Sequence, residues 1–175
     1  MSTKRHVLSI LVENRFGELA RIVGLFSGRG FNIDKITASP TLDPSYSRVI
    51  LVTRGDEAII EQITKQAHKL IRVRRVHHVL EGKHVERELC LATVNVPGAK
   101  AREDLERIIK LVGARVIAYA ATAFTLEVTA TSAEVDNFIE MLRPLGIRDM
   151  VRSAPIALQR PLTDAEQGPS SSSAA

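Results

Sequence analysis

The chain of 175 residues has no tryptophan, a single cysteine, two tyrosines and five phenylalanines. A lone Cys90 excludes an internal disulfide, and its apolar setting marks it as a core thiol. The scarcity of aromatics leaves no stacking platform for bases, and the R/K-G-F/Y-G/A-F run of RNA-binding sheets is missing. No apolar run approaches the roughly 20 residues of a membrane span, and Met1 to His6 lacks the apolar stretch of a secretory signal, so the expectation is a cytoplasmic protein. Catalytic signatures are absent as well: there is no Gly-x-Ser-x-Gly, no phosphate loop and no His-Glu-x-x-His. Gly28-Arg29-Gly30 follows a helical pattern, where a dinucleotide fingerprint should follow a strand. His77 and His78 are adjacent on a predicted strand and point to opposite faces, so they cannot converge with His84 on one ion, and no metal site is expected.

What is present is a composition of 45% apolar and 25% charged residues, that of a soluble globular chain with a substantial core. The formal net charge of +4 admits nucleic acid as a partner. Arg72, Arg74 and Arg75 are read as a solvated face or as contacts for an acidic protein.

The hydrophobic period changes in an order that occurs twice. Val7 to Val12 reads as a buried strand, then Leu19, Ile22, Val23 and Phe26 fall on one helical face, stopped by Gly28 and Gly30. Asn32 to Ala38 and Ser47 to Thr53 read as strands joined by a turn-rich loop from Pro40 to Pro44. Asp56 caps a second helix carrying Ile59, Ile60, Ile63, Ala67 and Leu70, and Val73 to Leu80 returns as a strand. From Val85 the order repeats: strand to Val96, helix from about Ala101 to Val112, strands Ala114 to Ala120 and Ala123 to Ala130, helix Ser132 to Leu142, and one last strand from Ile147 to Leu158. Thr131 and Glu134 have the spacing of a capping box. The prediction is an α+β chain of two ferredoxin-like βαββαβ domains, residues 5–80 and 84–159, with helices on one face of each antiparallel sheet. Open sheet edges suit a homodimer. Residues 160–175, rich in Ser and Ala, are expected to be disordered.

The segment Leu11-Val12-Glu13-Asn14-Arg15-Phe16-Gly17-Glu18-Leu19 passes from strand to amphipathic helix through Asn and Gly. Helix N-termini carry unpaired amides and partial positive charge, so a small carboxylate can sit there without a cationic side chain. Gly17 lets backbone approach closely, and Asn14 and Asn32 add amide groups. An ordinary strand-to-helix turn would look much the same.

This loop resembles the effector loop of ACT domains. The longer run from ILVENRFGELARIVGLFSGRGFNIDKITASP through VTRGDEAIIEQITKQAHKLIRVRRV to HVERELCLATV is similar to the small regulatory subunits of acetohydroxyacid synthase, also called acetolactate synthase. The similarity extends from about His6 to Gln159. It implies that the chain is not an enzyme on its own and carries no cofactor. A separate large catalytic subunit would hold thiamine diphosphate, Mg²⁺ and FAD. This chain would activate that subunit and confer feedback inhibition by valine or another branched-chain amino acid. The effector would lie between two ACT domains of a homodimer, held by Asn14, Arg15, Phe16, Gly17, Glu18 and Leu19 of one subunit and by Asn32 and Ile33 of the other. Leu11 is a further wall residue by position. Phe16 stands where a proline often precedes the glycine. The alternative class is a basic ferredoxin-like nucleic-acid binder, which salt-sensitive retention on RNA or DNA would distinguish.

Overall fold

The computed structural model describes residues 4–79 and 84–160. The expected disorder of the tail from residue 161, and the end of the fourth predicted strand at Leu80, lie outside the described residues.

In the first half, β1 (Lys4–Glu13) leads to α1 (Glu18–Ser27), β2 (Lys35–Pro40), β3 (Tyr46–Gly55), α2 (Glu57–Ala67) and β4 (Val73–Val79). The sheet order is β2-β3-β1-β4, with β1 antiparallel to both neighbours and β2 antiparallel to β3. Strand alternation places Leu8, Ile10 and Val12 on one face, where they meet Ile22, Leu25 and Phe26 of α1 and Ile60, Ile63 and Ala67 of α2. Asp56 caps α2, its carboxylate accepting from the Ile59 amide at 2.8 Å.

The second half repeats the plan: β5 (His84–Asn95), α3 (Ala99–Val112), β6 (Arg115–Ala120), β7 (Ala123–Ala130), α4 (Ser132–Leu142), a 3₁₀ turn (Arg143–Leu145), β8 (Ile147–Arg152) and β9 (Ile156–Gln159). Its sheet runs β6-β7-β5-β8, with β9 paired to the first part of β5. Cys90, Ala92 and Val94 pack beneath Leu105 of α3 and Val135, Phe138, Ile139 and Leu142 of α4. The Thr131–Glu134 capping box is formed in both directions. Burial pushes the Cys90 thiol pKa up, with the Arg152 charge opposing and the Glu88 charge adding to the rise, so this is an inert core thiol.

Two strand assignments need correction. The expected strand from Ile147 to Leu158 is two strands, because Ser153, Ala154 and Pro155 leave the ladder and a proline has no amide to contribute. The expected strand from Asn32 starts instead at Lys35, because residues 32–34 are engaged locally. The Asn32 side chain donates to Asp34 at 2.7 Å, and the Asn32 carbonyl accepts from the Thr53 hydroxyl at 2.6 Å.

The two halves touch. Ala157 of β9 packs on the open face of the first sheet with Val7, Ile50, Val52 and Val79. Polar contacts complete the junction: Arg5 donates to Glu86 at 3.0 Å, and Lys35 donates to the fully buried Glu88 at 2.7 Å. Glu88 also accepts from Ser132 and from Arg152, at 2.5 Å each.

Candidate functional site

The loop between β1 and α1 is latched to the β2–β3 hairpin by Asn14. Its backbone amide donates to the Ser45 carbonyl at 2.7 Å, and its side-chain nitrogen donates to the Pro44 carbonyl at 3.0 Å. The chain then turns into α1 through Gly17, whose φ of 84° lies in the left-handed region where a Cβ is unfavourable. Gly17 is the N-cap of α1 and brings no capping side chain. Among the described residues no acceptor meets the amides of Phe16, Gly17, Leu19 or Ala20. These unmatched donors, reinforced by the helix dipole, form an anion-seeking terminus.

The carboxylates at this end are already neutralised. Glu18, 3% exposed, is paired with Arg72 at 2.9 Å and Arg21 at 3.2 Å. Glu13 meets Arg74 at 2.6 Å and Arg15 at 3.4 Å. Arg74 and Arg75 lie on a solvated face as expected, Arg74 also pairing with Glu13, whereas Arg72 is half-buried against Glu18 because the strand pairing brings the start of β4 beside the end of β1.

Next to the loop lies a cleft of about 270 Å³, near the small end of ligand pockets, bordered by Val12, Asn14, Arg15, Glu18, Leu19 and the outer end of β2. Four of the eight residues singled out from the sequence line it: Asn14, Arg15, Glu18 and Leu19. Phe16 is fully exposed beside the cleft, and Gly17 shapes the turn. Asn32 and Ile33 are elsewhere. They precede β2, while the cleft lies at its far end beside Pro40, about 20 Å along the strand at 3.3 Å per residue. Within one protomer the two groups therefore do not meet, and Ile33 packs against the first core. Leu11 is not a wall of this cleft. Alternation along β1 turns it to the other face, where it borders a separate cleft with Ser9, Arg48, Arg75 and His77.

The sequence reading missed Ala38, Ser39, Pro40, Ser47 and Val49, which complete the cleft wall. They come from β2 and β3, and their place beside α1 depends on strand order, which hydrophobic period alone does not encode.

A family model for the acetolactate synthase small subunit matches residues 87–161, and one for an acetohydroxyacid synthase small-subunit-like ACT domain matches residues 8–75. The chain is 41% identical over 157 residues to the acetolactate synthase isozyme 3 small subunit of Salmonella typhimurium, covering 89% of this chain and 96% of that one. It is 38% identical over 160 residues to a probable acetolactate synthase small subunit of Methanothermobacter thermautotrophicus, covering 91% and 95%. The crystal structure of the acetolactate synthase small subunit from Thermotoga maritima superimposes with a TM-score of 0.81 at 30% identity, covering 91% of this chain and 99% of that one. With both halves matched, and an ACT-type fold in the arrangement described above, the chain belongs to the acetolactate synthase small subunit family.

Proposed function

We propose that this chain is a non-catalytic regulatory subunit that activates a large acetolactate synthase subunit and makes it sensitive to valine or a related branched-chain amino acid. The observation that carries the reading is the cleft at the start of α1, where unmatched amides adjoin Arg–Glu pairs in which arginines outnumber the glutamates, and an apolar wall. A ligand carboxylate accepts from the amides of Phe16, Gly17, Leu19 and Ala20, and a short branched side chain lies toward Val12 and Val49. Selectivity among valine, leucine and isoleucine rests on pocket volume, and one methylene is worth about 1–3 kcal/mol.

The site is completed by a second copy. β2 is an edge strand, and pairing it antiparallel with the β2 of another protomer brings the start of one strand beside the end of the other. The separation within a protomer is then what the dimer requires: Asn32 and Ile33 of one copy reach the Asn14 cleft of its partner. In that dimer the first half carries effector binding and contact with the catalytic subunit, and residues 84–159 contribute to sensitivity and assembly. Thiamine diphosphate, Mg²⁺ and FAD reside in the catalytic subunit. An effector inhibits only through different affinities for active and inactive assemblies, a coupling of about 1–3 kcal/mol.

The test is reconstitution. The purified chain alone forms no acetolactate from pyruvate, raises the turnover of its cognate catalytic subunit when mixed with it, and loses that gain when valine is added. Activity of the chain alone, or no change on mixing, overturns the proposal.

A further inference from the structure

At the end of the first sheet away from the effector cleft, three ligand-type side chains from three elements meet. His6 of β1 is 5% exposed and lies on the face covered by the helices, as does His78 of β4, whose register partner is the core residue Leu8. His6 Nδ1 and His78 Nε2 are 3.0 Å apart. Glu57, in the first turn of α2, brings a carboxylate oxygen so that all three donor atoms lie within 4.8 Å of one another. Sequence reading considered His77, His78 and His84 and passed over His6, because only strand pairing brings residues 6 and 78 together.

One contact orients this group. His6 Nε2 is 3.2 Å from the Gly55 carbonyl, so that nitrogen carries the proton and Nδ1 presents its lone pair to His78. A ring nitrogen tied to a backbone carbonyl, leaving the other free, is the usual support of a metal-bound imidazole. Gly55 also lies close against α2: a Cβ there would come 3.0 Å from the Ile59 side chain, which would have to give by a few tenths of an ångström.

We propose that His6, His78 and Glu57 form a binding site for a borderline-soft divalent cation of the zinc type, with a fourth position open to water. Tetrahedral zinc with Zn–N bonds of about 2.0–2.1 Å needs nitrogens roughly 3.3–3.4 Å apart, a few tenths of an ångström beyond the present spacing. Two imidazoles and one carboxylate suit Zn²⁺ or Co²⁺ better than Mg²⁺ or Ca²⁺, which prefer all-oxygen sets. The proton now between the rings is carried by His78 Nε2; on metal binding it passes through solvent to His78 Nδ1, so neutral His78 keeps its charge and frees the lone pair. The bound ion joins β1, β4 and α2, an additional clamp on the first half.

Titration of the full-length chain with Co²⁺ and Zn²⁺ tests this. One equivalent of Co²⁺ gives the intense visible bands of a four-coordinate ion, Zn²⁺ displaces it, and Zn²⁺ raises the melting temperature. His78→Ala weakens binding by more than the roughly 10- to 100-fold cost of losing an orienting partner, Glu57→Gln weakens it measurably, and His77→Ala leaves it unchanged. Glu57 is exposed and its amide replacement keeps the shape, so that variant reports on the site even if His78→Ala fails to fold. No stoichiometric binding, a six-coordinate Co²⁺ spectrum, or binding unchanged in Glu57→Gln overturns the proposal.

Discussion

The two halves share one topology and even one loop pattern, Asn14-Arg15-Phe16-Gly17 in the first and Asn95-Val96-Pro97-Gly98 in the second, each ending on the residue that caps the next helix. Their chemistry differs. In the first loop Asn14 is occupied with the hairpin, and among the described residues the amides of Phe16, Gly17, Leu19 and Ala20 are left without acceptors. In the second, the Asn95 side chain donates to the Gly146 carbonyl at 3.0 Å and accepts from the Arg148 guanidinium, which also donates to the Thr122 carbonyl at 3.2 Å. Val96 donates to Thr122 at 2.8 Å, and Pro97 has no amide hydrogen. Gly98 is extended where Gly17 is left-handed. Both helices start without a capping side chain, and among the described residues no acceptor meets the amides of Gly98, Ala99, Lys100 or Ala101 either. What separates the halves is the turn before the helix, tied down through Asn95 and Val96 in the second and left-handed at Gly17 beside an open cleft in the first.

The second half spends its polar groups on the junction instead. Glu88 has a fully buried side chain and accepts from Lys35, Ser132 and Arg152. Removing it leaves Lys35 without its carboxylate and Arg152 with Asp136 alone, so Glu88→Ala is expected to cost about 3–5 kcal/mol, the largest effect in the molecule, read by urea unfolding. Glu88→Gln, which keeps the shape, costs less. Burial pushes the pKa of Glu88 up, but Lys35, Ser132 and Arg152 outweigh it and the net direction is down; for Glu86 burial is likewise outweighed by Arg5 and Ser132. A carboxylate with a lowered folded-state pKa contributes stability above its unfolded pKa, about 4.3 for Glu, and loses it as pH falls through the folded value. Acid should therefore weaken the wild type across that window and leave Glu88→Gln with a flatter profile. An unchanged profile would place the acid sensitivity elsewhere.

Next in size is the loss of the open terminus itself. Gly17→Asp strains a left-handed residue by about 1–2 kcal/mol and sets a carboxylate where the effector's own would lie. The expected result is no valine response in the reconstituted enzyme, with activation by the variant retained. Gly17→Ala carries the same strain without the charge, and its valine response should fall much less. If both variants respond like the wild type, the cleft is not the effector site.

The elements were legible because period and punctuation agree. The helical stripes of Ile22 and Phe26, or Val135, Phe138 and Leu142, sit beside clear strand alternation, and Asp56 and Thr131 cap the helices their spacing predicted. The break after Arg152 was not legible, because Ala154 and Ile156 continue an apolar pattern while Pro155 interrupts the hydrogen bonding. At the site, Asn14 to Leu19 were readable as a contiguous loop. The β2 and β3 wall, the Arg72 and Arg74 pairings and the His6–His78 contact were not, since each depends on which strands become neighbours.

Asn14→Ala is a milder change. It removes the side-chain donation to Pro44, a neutral hydrogen bond at an exposed position worth about 0.5–1.5 kcal/mol, while the backbone bond to Ser45 stays. Scanning fluorimetry should show a small drop in melting temperature, and valine inhibition of the reconstituted enzyme should be lost. Asn32→Ala, at the other end of β2, should also abolish inhibition if the two groups meet across a dimer, while activation by both variants stays near wild type. Retained inhibition in Asn32→Ala alone would restrict the effector to one protomer's cleft.

The smallest effect belongs to Arg148→Ala, and it sharpens the comparison most. Arg148 is exposed, so losing its bonds to Asn95 and Thr122 returns those groups to water and should shift stability by no more than about 0.5–1 kcal/mol. It uncovers Asn95 but adds no donor, because the Val96 amide remains on Thr122, Pro97 has none, and the amides of Gly98 to Ala101 are without a described acceptor before and after the change. Calorimetry with valine should therefore find the same number of sites per chain as in the wild type. A second binding equivalent in this variant would mean that Arg148 alone keeps the second loop closed, and that the two halves differ by one side chain, not by the donors their loops present.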